Sequence, residues 1–315
     1  MSALICGSVA YDTIMVYSGQ FKNAILPDKV HILNVSFLVP QLRRDYGGTA
    51  GNIAYNLRLL GGEPLPMGTV GHDFGAYEKW LDENEIDRTY LKVVPDTYTA
   101  QAYITTDLDD NQITAFHPGA MAQAHTLQVT AAEIARKGVK IGSISAESRE
   151  AMLLHAQQFV DAGVPFIFDP GQGIPLFDGE EFRAFIDKAT YVAVNDYEAE
   201  ILMNRTGWTL AQIAERVEAL IVTRGGQGSH IYTGGRTIEI PTAQAGSLTD
   251  PTGCGDAYRG GLLHGLLQGY DWETTGRIAS LMGAYCIERP GTQNHRFTPD
   301  AFRARYKKAF RTDLV

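Results

Sequence analysis

From Val139 onward the chain alternates short apolar runs with amphipathic stretches, and this rhythm limits its possible folds more than any other feature. "VKIGSIS" is followed by "SREAMLLHAQQFVDAG", "PFIFDPG" by "GEEFRAFIDKA", and "TYVAVN" by "DYEAEILMNRTG". "LAQIAERV" and "EALIVTRGG" continue the pattern. Short β-rich runs read as strands and the longer periodic segments as helices. Strand–helix alternation at this spacing predicts an α/β fold with a mostly parallel sheet covered on both faces. Ligands of such sheets sit beyond the carboxyl ends of the strands. The polar residues that follow predicted strands are therefore the first candidates for a site: Asp12 after "ALICGSV", then Asp169, Asn195 and Thr223.

Elsewhere the rhythm differs. "AGNIAYNLRLLGG" puts Ile53, Ala54, Leu57 and Leu60 at helical spacing and stops at Gly61-Gly62. Three further helices are predicted at about 255–268, 273–288 and 299–310. Two β-rich regions, at about 14–40 and 98–116, do not fit the βα pattern. The first contains "IMVYS" and "HILNVSFLV"; the second predicts a hairpin turning at Asp109-Asp110-Asn111. They are expected to pair as a small sheet projecting from the core. With no repeat or low-complexity linker, residues 1–315 are expected to form one domain carrying this small sheet as an insertion.

A formal net charge of −9 provides no basic face for nucleic acid. It leaves room for a small anion held by local backbone dipoles. Cys6, Cys254 and Cys286 are few, odd in number and far apart, which fits a reducing compartment. The start, "MSALICGSVAYD", lacks the features of a signal peptide, and no stretch approaches the ~18 apolar residues of a membrane span. A cytoplasmic protein is expected.

"DPTGCGDAYRGG", Asp250 to Gly261, packs glycines and two aspartates against a predicted helix start. Glycines allow close backbone approach, and a helix start offers unpaired N–H groups. On spacing alone, an anion site and a tight turn entering a helix are equally good readings. A Walker A loop is excluded because the chain has no Gly-Lys pair, and G-x-G-x-x-G fails at Tyr258.

The stretch resembles the D-T-x-G-A-G-D-x-F signature of the ribokinase-like (PfkB) family of carbohydrate and nucleoside kinases. Asp250, Thr252, Gly253, Gly255 and Asp256 match; Pro251, Cys254 and Tyr258 depart from the common residues. Four more segments resemble family motifs in the same order: "YGGTAGNIAYNLRLLG", "GTVGHDFG", "NDYEAEIL" and "VTRGGQG". The resemblance implies a ribokinase-like three-layer sandwich whose small β-sheet is a lid. It implies ATP and Mg²⁺ as cofactors, with K⁺ near Asp250 and the 286–294 segment. It also implies a homodimer through the lid sheet.

Carried over residue by residue, the resemblance makes Asp256 the base that takes the proton of the attacking hydroxyl. The N–H groups of Gly253, Cys254, Gly255 and Asp256 become an anion hole. Asp256 is otherwise an ordinary first-turn carboxylate. Asp12 would accept from two sugar hydroxyls, or simply form a turn; Ala10 stands where many members have Asn. Gly47-Gly48 would be the lid hinge, with Gly48 bringing backbone to the sugar and Asn52 a second sugar ligand. Asn195 and Glu198 would lie near the triphosphate and the water shell of Mg²⁺, and they also spell a capping box. Thr223, Gly225 and Gly228 would line the nucleotide loop, or form a β-turn. Arg259 is either a phosphate ligand or a solvent-facing residue.

"VSFLV", "AFHPGAM" and "ERPGTQNH" resemble segments of bacterial adenosine kinases. A nucleoside base wants an apolar slot, for which Phe116 and Phe37 are the candidate walls, with lid packing as their alternative role. Gln172 is a candidate base or sugar ligand. The resemblance thus implies an ATP-dependent kinase acting on the 5′-hydroxyl of adenosine or related nucleosides. The alternatives are a sugar kinase of the same family and a catalytically silent binding regulator.

Overall fold

The computed structural model describes residues 1–25, 34–109, 111–128 and 130–314. Along the first half run strands β1 (Ser2–Cys6), β2 (Ala10–Val16), β3 (Gln41–Gly47), β4 (Glu63–Gly71), β5 (Tyr90–Val94), β6 (Ala100–Thr106) and β7 (Gln112–His117). The second half adds β8 (Val139–Ile144), β9 (Phe166–Phe168), β10 (Tyr191–Asn195), β11 (Ala219–Thr223), β12 (Ser229–Thr233) and β13 (Arg236–Ile240). Nine of them form one sheet in the order β13-β12-β11-β10-β9-β8-β1-β4-β5. From β5 to β11 all pairings are parallel.

The sheet is buried on both faces, as its continuous apolar strands require. In β1, Ala3 and Ile5 face one layer while Leu4 and Cys6 face the other. The first layer packs Ile53 and Leu57 of the helix Thr49–Leu59 with Leu262 and Leu263 of the helix Cys254–Gln268. The second packs Phe159, Phe182, Phe185 and Leu202 from the helices Arg149–Ala162, Gly179–Lys188 and Asp196–Thr206. This is the expected α/β three-layer sandwich. Helices Trp272–Ile287 and Pro299–Phe310 match the sequence reading to within a residue or two.

One contact positions the cleft. A Cβ on Gly260 would lie 2.6 Å from Asn56 Cβ and 3.1 Å from Leu57 N. Only glycine lets the helices Cys254–Gln268 and Thr49–Leu59 approach this closely. Their N-terminal turns are thereby brought side by side.

The small sheet has the order β3-β2-β6-β7. The two β-rich regions do pair, through the parallel β2–β6 ladder, and β6–β7 is the expected hairpin. Its turn is organised by Asp107, whose Oδ1 accepts from the N–H groups of Asp109 and Asn111, each at 2.9 Å; Asp110 lies outside the described residues.

Several expectations need correction. Asp12 does not follow a strand but lies inside β2, which starts earlier than "IMVYS" suggests. Of "HILNVSFLV", residues 31–33 lie outside the described set, and 34–39 form no strand. The fourth strand is instead "QLRRDYG". Its charges suit an exposed edge, and this polar run hides it from a search for apolar strands. The antiparallel pair β12–β13, which extends the large sheet past β11, was also not anticipated.

Candidate active site

The N-terminus of the helix Cys254–Gln268 opens at the carboxyl end of the large sheet. Gly253 adopts φ 77°, and a Cβ there would strike Thr292. No side chain caps this helix. Among the described residues, the N–H groups of Gly253, Gly255 and Asp256 meet no acceptor, whereas Cys254 N–H reaches Pro251 O at 3.3 Å. Three of the four expected anion-hole donors are therefore free. Nothing lies within 4 Å of a Cβ built on Gly255, so the donors face open space. The Cys254 thiol turns away, 3.8 Å from Gly283 O.

Asp256 stands in this first turn, partly buried. Burial pushes its pKa up to about 7, opposed by the hydrogen bond from Asn52 and reinforced by the charge of Asp169. Asn52 Nδ2 donates to Asp256 Oδ2 at 2.8 Å. Sequence reading placed these residues in one site, and they are in direct contact.

Gly48 sits at φ 84°, where a Cβ would come within 2.6 Å of Ala10 N. The di-glycine thus packs directly on the start of β2. Asp12 lies against Gly47, and burial followed by the charges of Asp45 and Asp250 raises its pKa to about 6. Asp12 is in register with Asp45 on one side and Ala102 on the other, and Ala102 with Phe116. Register partners share a face, so Asp45, Asp12, Ala102 and Phe116 form one row across the small sheet. Asp12 and Phe116 are separated by two strand spacings, about 10 Å. Phe116 is 51% exposed. Phe37, by contrast, packs on Tyr17 and Phe21 with ring centroids 4.8 and 5.1 Å away.

Arg259 is not solvent-facing: it is 4% exposed, donating to Asp169 Oδ1 at 2.9 Å and to Ala193 O at 3.1 Å. It sits among Asp169, Glu198 and Asp256. Asn195 and Glu198 form the capping box of the helix Asp196–Thr206, with both hydrogen bonds at 2.8 Å. Burial, then the charge of Asp169, raises the pKa of Glu198. Thr223 ends β11, its hydroxyl 3.4 Å from Val194 O. Gly225 and Gly228 shape the tight turn into β12. Gln172 is exposed on the turn Gly171–Leu176 that follows β9.

Asp250 accepts from Thr252 N, Gly291 N and Arg43 Nη2 at 3.0, 2.9 and 2.8 Å. Burial works to raise its pKa, but these donors outweigh it and hold the carboxyl below its ordinary value. Arg43 also pairs with Asp45 at 3.0 Å. Sequence reading did not single out Arg43, Trp80, Tyr77, Thr292 or Gln293. The last four surround Asn52 and its partners. The quoted segment "ERPGTQNH" contains two of them but gives no sign of what they touch.

Residues 9–299 match the pfkB family carbohydrate kinase profile. The nucleoside kinase of Burkholderia thailandensis, solved in complex with inosine, superposes with a TM-score of 0.89 at 51% identity, covering 99% of each chain. A Methanocaldococcus jannaschii nucleoside kinase structure gives a TM-score of 0.87 at 32% identity, covering 98% of each chain. By sequence, a nucleoside kinase of that organism is 34% identical over 277 residues, 87% of this chain and 90% of its own length. The family match takes in every motif that the cleft gathers, and this chain belongs to the pfkB family of carbohydrate kinases.

Proposed function

We propose that the protein transfers the γ-phosphoryl group of ATP to the 5′-hydroxyl of a purine nucleoside such as adenosine or inosine. As a family member the chain is a phosphotransferase. One observation carries the nucleoside reading: Asp12 and Phe116 share one face of the small sheet, about 10 Å apart. A carboxylate there accepts from the two ribose hydroxyls, and the exposed ring is left for the base. The relatives named as nucleoside kinases, one solved with inosine, support the same assignment.

In this reading the acceptor hydroxyl lies against Asp256, which takes its proton as the γ-phosphorus is attacked. The free N–H groups of Gly253, Gly255 and Asp256 receive the phosphoryl oxygens. Cys254 N–H joins them when it leaves Pro251 O. Arg259 neutralises Asp169 behind Asp256, while Gly48 and Asn52 hold the ribose. ATP lies along Asn195, Thr223, Gly225 and Gly228. Phe37 and Gln172 remain secondary ligands, Phe37 through the packing of the lid.

No group of three or more His, Cys, Asp or Glu among the described residues forms a metal cage. In this reading Mg²⁺ would arrive with the nucleotide, since that ion keeps several waters and binds mainly phosphate. Glu198, held in its capping box, would receive one of those waters, and the ion would supply charge neutralisation of the phosphates. The side chain of Asp250 does not fit a K⁺ site, because Arg43 and two N–H groups already engage its oxygens. Backbone carbonyls of 286–294 remain for such an ion.

The same proposal treats the small sheet as a lid inserted in one kinase domain. It places a homodimer contact on that sheet, where Leu42 and Ile113 are exposed. Among the described residues, no helix is long and apolar enough to cross a membrane; a cytoplasmic setting is part of the proposal.

The test is kcat/KM with ATP for adenosine, inosine, 2′,3′-dideoxyadenosine, ribose and fructose. Strong preference for the two nucleosides over both sugars is expected, with the dideoxy compound binding at least tenfold more weakly than adenosine. Preference for ribose or fructose would return the assignment to a sugar kinase, and no turnover of any acceptor would leave a silent regulator.

A further inference from the structure

Asp256 stands at one end of a chain of amides whose direction is fixed from the other end. At the far end, Trp80 Nε1 donates to Gln293 Oε1 at 2.9 Å. An indole nitrogen only donates, so the amide oxygen of Gln293 must face it. Trp80 is itself held by stacking on Tyr46 and Tyr55, with centroids 5.1 and 6.1 Å away. Gln293 Nε2 therefore points the other way. It donates to Asn52 Oδ1 at 2.9 Å and to the Tyr77 hydroxyl at 2.6 Å. The Tyr77 hydroxyl in turn donates to Gly47 O at 2.8 Å. The Thr292 hydroxyl lies 2.7 Å from the same Asn52 oxygen and 2.8 Å from Tyr46 O, and its single proton serves one of the two, so the orientation of Asn52 rests on Gln293. With its oxygen facing the Gln293 amide, Asn52 presents its NH₂ to Asp256 Oδ2 at 2.8 Å. Gln293, Asn52 and Tyr77 are at most 3% exposed.

We propose that Gln293, anchored by Trp80, is a positioning residue that locks the Asn52 amide so that Asp256 always meets a donor. The proposal rests on the reading of Asp256 as the base. A flipped Asn52 would set an amide oxygen against the carboxylate, a pairing that only the protonated acid satisfies. A donor favours the ionised form, and an acceptor favours the neutral one. The lock also restricts what Asn52 offers a nucleoside. Its oxygen is taken, so only the second Nδ2 hydrogen remains, and the nucleoside oxygen that it contacts must accept.

The other titratable groups around Asp256 are Arg259 on its own helix, Asp169 after β9, Asp12 on β2, Tyr77, and the thiols of Cys254 and Cys286. None of them changes in the variants used. The measurement is the single-turnover rate of phosphoryl transfer to adenosine against pH, for wild type, Gln293→Met, Trp80→Phe and Asp256→Asn. Gln293→Met removes the donor at similar volume. Its acid limb should move up by about one to two pH units, the loss expected for one hydrogen bond to a charged group. The rate should return to within a few-fold of wild type at pH 9, with KM for ATP unchanged. Trp80→Phe keeps a ring in the stack and should shift the limb in the same direction by less.

A uniform loss of rate at every pH, or an unshifted limb in both variants, would overturn the proposal. Failure of the underlying reading looks different: Asp256→Asn would then retain more than a tenth of the wild-type rate.

Discussion

Asp256→Asn should cripple the enzyme and stabilise it, and the two effects have one cause. Burial raises the folded-state pKa of this carboxyl to about 7, about three pH units above an unfolded aspartate. Below the unfolded value both states are protonated and nothing is lost. As pH rises, the unfolded chain releases its proton first, and stability falls until the folded carboxyl ionises near pH 7, after which the loss is constant. Three units correspond to at most about 4 kcal/mol. The carboxylate keeps an open side toward the cleft, so water screens part of this and about 2 kcal/mol is expected. Asparagine carries no charge and still offers Asn52 Nδ2 an acceptor. At about 2 °C per kcal/mol for a chain of this length, Tm should rise by about 4 °C at pH 8 and by less at pH 5. Turnover should fall by ~10²–10⁴. Calorimetry at both pH values and a coupled kinase assay measure the two effects. An unchanged or lower Tm at pH 8, or an offset independent of pH, refutes the account of the raised pKa; a kcat above a tenth of wild type refutes the base.

Phe116→Ala should raise KM for adenosine several-fold, since base stacking on an aromatic side chain is worth ~1–3 kcal/mol, and should leave any activity on ribose nearly unchanged. Parallel losses on both acceptors, with a lower Tm, would make Phe116 a packing residue of the small sheet. Arg259→Ala leaves Asp169 buried without its cation, beside Glu198 and Asp256; removing one partner of such a pair costs about 3–5 kcal/mol. The melting temperature should drop by at least ~6 °C, and a drop under 2 °C would show that the pair carries little of the stability at the carboxyl ends of β9 and β10.

The alternation after Val139 was legible because each strand and helix carries its own local pattern, and the structure follows it from β8 to β11. The glycine-rich turn was legible for the same reason: Gly253, Gly255 and Asp256 are consecutive enough to announce one helix start. What could not be read locally is which polar group meets which. "QLRRDYG" becomes a strand only because β2 offers it an edge. Arg259 looks like any helical arginine until Asp169, 90 residues away, neutralises it. Asn52 presents the sharpest case. In sequence it is a polar residue four positions after a glycine, equally suited to a helix surface or a ligand. Its orientation is decided by Gln293, 241 residues on, and by an indole that can only donate. Its reach is decided by Gly260, which alone lets its helix come close enough for a 2.8 Å contact with Asp256. The chemistry of the carboxylate therefore depends on two packing contacts, one made by Gly260 a turn further along its own helix and one made by Gln293 outside it, and neither has a motif.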